Sequence, residues 1–205
     1  MTSPHFIRGA SLGGLPFRVA LVVIAWNLGA AGGRVASAQT LENMFDDGTV
    51  HELRLSINER DLRELRERYL ENVYVPADFQ WGNQRVRNVG VRSRGLASRN
   101  ASKLGLRIDF NRYSAGQTFL GLASLVLDNL ASDPALVRER VSMAFFERLG
   151  QPASRESFTR LYINNVYQGI YAIVEPVDGH FLARALGGTP GYLFERHFLP
   201  PYYGD

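Results

Sequence analysis

The chain has 205 residues, no cysteine, and twenty-three basic against twenty acidic residues. Disulfide staples and cysteine-ligated metal sites are excluded, so the fold must stand on its core. The basic excess lies entirely in residues 1–38, which carry Arg8, Arg18 and Arg34 without an acid; the remainder balances at twenty of each sign, and its charge gives no reason to expect a nucleic-acid partner.

Residues 1–38 read as a cleaved secretory signal peptide. Arg8 and Arg18 precede an apolar stretch at residues 19–26 that continues through small residues to about Ala31. Ala36-Ser37-Ala38 fits a small-x-small cleavage site, placing the mature start at Gln39. The strictly apolar run is well short of the roughly 20 residues of a spanning helix. The expected destination is therefore secreted, periplasmic or cell-surface, with the membrane touched only through the leader.

Residues 50–57 alternate, with Leu53, Leu55 and Ile57 on one face, and read as a strand. Asn58 is a helix N-cap, and residues 59–69 form a helix with Leu62, Leu65 and Tyr69 on its apolar side. Its other face, with Arg60, Arg63, Glu64, Glu67 and Arg68, is a solvated, ion-paired surface. A hairpin follows, residues 73–81 and 84–94, turning at Gly82-Asn83. A polar loop then leads to a strand at 104–110 with Leu106, Ile108 and Phe110 on one face, and to a short strand at 124–127.

The clearest helix spans residues 134–149. Asp133 caps it, Pro134 takes its first position, and Gly150 follows its last turn. Leu136, Val137, Val141, Ala144, Phe145 and Leu149 give it a broad apolar stripe. Strands at 158–163 and 167–174 are joined across Asn164-Asn165, Glu175-Pro176-Val177 breaks the second, and Asp178 caps a helix at 179–186 that Gly187-Gly188 terminates. Tyr192-Leu193-Phe194 reads as a further strand. The aromatic end at residues 197–205 has no polar tail or cap, and we expect the chain to be a piece of a longer protein. The organisation is thus a leader at 1–38, a strand, helix and hairpin start at 39–83, and a second unit at 84–205.

Lys103 is the sole lysine beside twenty-two arginines. It follows the arginine-flanked loop Arg94-Gly95-Leu96-Ala97-Ser98-Arg99-Asn100. A lysine there is a compact point charge suited to phosphate oxygens, where arginine is a wide fork. From residue 84 the order is strand, loop, strand beside a lysine, long helix, two strands, connector and helix. That is the order of a protein-kinase small lobe running through its hinge. The expected class is α+β: a kinase-like small lobe, an antiparallel sheet with one long helix, followed by the start of the next lobe.

Several stretches stand out together: Asp61-Leu62-Arg63-Glu64-Leu65; Arg94-Gly95 with Lys103 and Arg107-Ile108-Asp109-Phe110; Ser132-Asp133-Pro134-Ala135-Leu136-Val137-Arg138 leading into Phe145-Phe146-Glu147-Arg148-Leu149-Gly150; Leu161-Tyr162-Ile163-Asn164-Asn165 with Gly169-Ile170-Tyr171; Val174-Glu175-Pro176-Val177-Asp178 with Phe181-Leu182; and Gly191-Tyr192-Leu193-Phe194. In this order, from about residue 51 to 196, they resemble the spore coat protein H (CotH) kinase family of atypical secreted or spore-associated protein kinases.

The resemblance implies transfer of phosphate from ATP, with Mg²⁺ or Mn²⁺, to serine or threonine of a protein substrate. Lys103 falls on the first lysine of the family's pair and would contact α- and β-phosphates. Arg94 and Arg99 would frame the phosphate loop. Glu175 would pair with Lys103 or sit beside the nucleotide. Gly95, Asp133 and Arg138 belong to the structural motifs, Asp133 as a cap and Arg138 as a helix anchor. The sequence departs from the pattern at Leu104, where the family has its second lysine, and at Leu106, where it has an aromatic. Glu139 and Glu147 are the candidates for a helix glutamate paired with the lysine.

The family's metal-binding and catalytic aspartates lie beyond the segment that ends here, so no catalytic or metal-binding residue is assigned in this chain. The alternative reading is a secreted, non-catalytic scaffold or adhesion module with the same fold. His51, His180 and His197 lack ligand spacing, and no nucleophile elbow is present. Nothing in the sequence specifies an oligomeric state.

Overall fold

The computed structural model describes residues 39–188 and 192–194. The leader assigned to residues 1–38 and the aromatic end from residue 195 lie outside the described residues. The elements are α1 (Leu41–Met44), β1 (Val50–Ile57), α2 (Glu59–Glu67), β2 (Val75–Trp81), β3 (Gln84–Ser93), β4 (Leu106–Asp109), β5 (Ser124–Asp128), α3 (Arg138–Arg148), β6 (Glu156–Ile163), β7 (Val166–Val174) and α4 (Gly179–Ala185).

The seven strands close into a barrel in the order β1-β2-β3-β4-β5-β7-β6. Every pairing is antiparallel except the seam, where β1 runs parallel to β6 with Leu53 opposite Leu161. The expected α+β class and antiparallel sheet are therefore present, and barrel closure is what the sequence pattern did not reveal. Alternation places Leu53, Leu55, Phe79, Val89, Val91, Leu106, Ile108, Leu125, Leu127, Leu161 and Ile173 inside. Phe110 and Phe119 add an aromatic plug: Phe79 meets both rings edge-on at 5.3 and 4.9 Å.

The turns follow their local chemistry. Gly82 takes a positive φ at the β2–β3 hairpin, and Asn164 and Asn165 both do so between β6 and β7. Asn164 also works as a backbone surrogate: its amide accepts from Ile57 N at 2.8 Å and donates to Ile57 O at 2.8 Å, extending the β1–β6 seam. Asn58 caps α2 by accepting from Arg60 N, and Asp178 caps α4 by accepting from His180 N and Phe181 N. Thr40 and Asn43 form a reciprocal capping box on α1, which the sequence reading missed.

The largest correction concerns α3. It begins at Arg138, four residues later than expected, with Val137 at the N-cap and no side-chain cap. Leu136 sits at φ +60°, which breaks the helical path that Asp133-Pro134 suggests. The carboxylate of Asp133 instead bridges the resulting turn, accepting from Ala135 N and Arg138 N. The apolar stripe forms, but it is not buried. Val137, Val141, Phe145 and Leu149 are all exposed, Val141 at 61%. Periodicity shows that a helix has an apolar face, not that the same domain covers it.

Two smaller corrections follow. β4 starts at Leu106, two residues later than expected, although Gly105 still accepts the Arg94 N–H at 2.8 Å in register with the β3–β4 pairing. Residues 192–194 form no strand, and Tyr192 and Phe194 are almost fully exposed. Among the described residues, no helix is long and apolar enough to cross a membrane.

Candidate functional site

The loop from Arg94 to Lys103 lies between β3 and β4 and is held from both sides. Asn129, fully buried just after β5, donates its amide to Ser98 O at 2.9 Å and to Lys103 O at 2.7 Å, pinning both ends of the loop's second half. Arg99 ties the loop to the turn after α2. Its guanidinium donates to Gly95 O, Tyr69 O, Glu71 O and Asn72 Oδ1, at 2.6 to 3.0 Å. Burial lowers its pKa first, with Arg92 and Arg94 adding like-charge repulsion. Gly95 has φ +115°, and a Cβ there would meet Ser98 Oγ at 2.5 Å, so glycine is required. The loop is a preorganised frame.

Lys103 and Arg94 present the charges of that frame. Lys103 is half-buried, with Nζ 5.1 Å from the centre of the Tyr171 ring and stacked over its face. Gly169, at φ +110°, leaves room beneath it: a Cβ would lie 3.4 Å from Lys103 Cε. No hydrogen bond or ion pair holds Lys103 Nζ among the described residues. Burial pulls its pKa below the ordinary lysine value, opposed by the charge of Asp128. Arg94 Nη1 reaches Asp128 Oδ2 at 3.3 Å, while Asp128 Oδ1 accepts from Leu130 N.

The groove beside this frame has a volume of about 350 Å³ and is lined by Ser98, Asp128, Ser132, Asp133, Arg138 and Glu139. Arg138 N is bound by Asp133, and Arg138 Nη1 donates to Ser132 O, so both residues shape the turn into α3. Glu139, one of these lining residues, lies against Glu156 at the start of β6. Burial first and Glu139 second push the Glu156 carboxyl up to about 8. Burial and Asp128 likewise raise Glu139.

Of the expected site residues, Lys103, Arg94 and Arg99 share one loop. Glu175 does not join them. Its carboxylate has no exposed surface and pairs with Arg155 at 2.9 Å and Arg184 at 2.5 Å, with Arg155 N at 3.2 Å. Burial raises its pKa, but the Arg184 and Arg155 hydrogen bonds outweigh this and hold it below the ordinary value. It is a buried node joining β7, α4 and the segment before β6, and it does not pair with Lys103. His180 Nδ1 lies 3.5 Å from the same carboxylate. Glu147 is exposed, and Glu139 turns toward Glu156 and Arg94.

Asp128, Asn129 and Glu156 escaped the sequence reading. Asp128-Asn129 follows an apolar strand and reads as an ordinary turn, while Glu156 reads as a solvated residue before a strand. Among the described residues, no group of three or more His, Asp or Glu is arranged to hold a metal.

A family model described as CotH kinase protein matches residues 91–200. Inner spore coat protein H of Bacillus subtilis (strain 168) is 30% identical over 130 residues, which cover 63% of this chain and 35% of that protein. Inner spore coat protein H-like protein of the same organism is 38% identical over 55 residues, 27% of this chain and 18% of that protein. The chain spans about a third of the length of the first relative and under a fifth of the second. Because the matched segment takes in more than half of the sequence, including the Lys103 loop, α3 and the β6–β7 hairpin, the chain belongs to the CotH family.

Proposed function

We propose that the chain carries the phosphate-binding part of a nucleotide site, in a protein that transfers phosphate from ATP to serine or threonine of a protein substrate. The observation that carries this reading is Lys103: a half-buried lysine whose ammonium makes no hydrogen bond or close ion pair among the described residues, feels Asp128 only as a nearby charge, and lies over Tyr171 on a loop fixed by Asn129 and Arg99. A cation partly withdrawn from water without a close ion-pair partner is costly, and an anion would satisfy it. Lys103 would neutralise phosphate oxygens as a point charge, and Arg94 would assist once drawn from Asp128. Arg99 and Asn129 would hold the loop. Glu175 supports the connector behind it.

Bound ATP would supply the transferable phosphoryl group. The described residues suit its phosphates; they do not include a cluster suited to its metal, and we route no step through one. The family's kinase-like architecture, secretion behind a leader and the protein substrate belong to this same proposal.

The test is transfer of labelled γ-phosphate to a protein acceptor, measured for the protein and for Lys103→Ala. Loss of at least about a hundredfold in rate is expected for removing a charge that stabilises the transferring group. Full activity in Lys103→Ala would remove Lys103 from the mechanism. Folded protein that binds no ATP at millimolar concentration, with or without Mg²⁺ or Mn²⁺, would favour a non-catalytic module.

A further inference from the structure

α3 rests on the barrel with only Met143 and Ala144 half-buried among its apolar side chains. None of its residues is buried, and β6 is its main neighbour. Its N-terminal half is fastened by polar links. Arg140 pairs with Asp47 in the turn before β1. Glu139 faces Glu156, the first residue of β6.

Glu156 is the unusual member. It is 3% exposed, and no N–H or O–H among the described residues donates to either carboxylate oxygen. A buried polar group of this kind needs a partner. Two charged carboxylates in that contact would repel each other, whereas one proton between them makes an O–H···O⁻ hydrogen bond. The other charges facing the pair do not remove the conflict. Asp128 at the end of β5 adds a third negative charge, Arg94 opposes it at Glu139, and Arg140 opposes it at Glu156. Arg94 and Arg140 are each already engaged, with Asp128 and Asp47.

We propose that Glu139 and Glu156 form a proton-dependent clasp that fastens α3 to the barrel, holding the helix while they share a proton and loosening it when both are ionised. The inference stands apart from the nucleotide reading, because it needs only the carboxyl pair and the sparse packing of α3.

The direction with pH follows from proton counting. In the released helix both carboxyls face water and lose their protons near the ordinary value of 4.5, while the docked pair keeps one until about 8. Between those limits the docked state binds one more proton. Docking therefore weakens about tenfold per pH unit over that window and levels off above it.

Hydrogen exchange of the protein, followed by mass spectrometry from ~pH 5 to ~pH 9 and corrected for intrinsic rates, reads this directly. Protection of residues 138–148 should fall about tenfold per pH unit up to about pH 8, with β4 peptides unchanged. Glu156→Gln places an amide donor against Glu139 at every pH and should flatten the α3 profile. A flat wild-type profile, or an unchanged slope in Glu156→Gln, overturns the clasp. Carbon-13 NMR titration of the glutamate carboxyls in the wild-type chain needs no variant. Two coupled glutamates, one titrating above ~pH 7, support it, and all glutamates titrating below ~pH 6 overturn it. If millimolar Mg²⁺ alone abolishes the wild-type slope, the pair takes a cation and the proton clasp is wrong.

Discussion

Replacing Glu175 tests whether the buried carboxylate holds the C-terminal part of the domain together. Its carboxylate accepts from Arg155 Nη2 at 2.9 Å, Arg184 Nε at 3.0 Å, Arg184 Nη2 at 2.5 Å and Arg155 N at 3.2 Å. A hydrogen bond to a charged group is worth about 1.5–3 kcal/mol, and the four are not additive. Removing one partner of a buried pair costs about 3–5 kcal/mol, because the other charge is stranded. Here the stranded guanidiniums are 21% and 31% exposed and regain some water, so Glu175→Ala should cost about 2–4 kcal/mol.

For a domain of this size that corresponds to a drop in Tm of roughly 5–15 °C. Glu175→Gln keeps the shape and loses the charge, and should fall about midway. Urea unfolding followed by circular dichroism, at ~pH 7 and at ~pH 4, measures both variants. The folded pKa of Glu175 is depressed, so its contribution is full above the unfolded value of 4.5 and fades as pH falls through the folded value. The gap between wild type and Glu175→Gln should therefore narrow at low pH. A Glu175→Ala variant within about 0.5 kcal/mol of wild type would refute the reasoning and show that the buried ion pairs contribute nothing net to stability.

Asn129→Ala removes both clamps on the Ser98–Lys103 loop and leaves two carbonyls to find water; we expect a loss of about 1–3 kcal/mol, and faster hydrogen exchange confined to residues 98–103. Unchanged exchange in that loop would show that Arg99 alone holds it. Val141→Glu alters the exposed stripe of α3 and should change stability by less than about 0.5 kcal/mol in urea unfolding, whereas a loss above 2 kcal/mol would mean that the face is packed.

What the sequence disclosed was local. Asn58 and Asp178 cap through hydrogen bonds to the next few residues, and Asn164-Asn165 turn through their own backbone angles, so these roles can be read in isolation, whereas the bonds of Asn164 to Ile57 cannot. Leu106, Ile108 and Phe110 were legible for the same reason, since alternation fixes a face. Asp133 deceived because its carboxylate caps a turn as readily as a helix, and a positive φ at Leu136 decided for the turn. The β1–β6 seam, the burial of Glu156 and the arginine pair on Glu175 join residues remote in sequence, and composition carries no trace of them. Likewise, Lys103 could be singled out by its rarity, while Asn129, which positions it, looks like any turn asparagine.

The parallel seam also sets an order of assembly. The β2–β3 and β6–β7 pairs close over short turns and need little search, so they are the expected early structure. β1 leaves the ribosome before most of the sheet, yet one of its two edges waits for β6, roughly 100 residues downstream. Until that contact is made, β1 shows an open row of backbone donors and acceptors to any neighbouring chain. Closure of the barrel is then the slow, concentration-sensitive step of folding, and refolding yield should depend more on how long this edge stays open than on the stability of the finished domain.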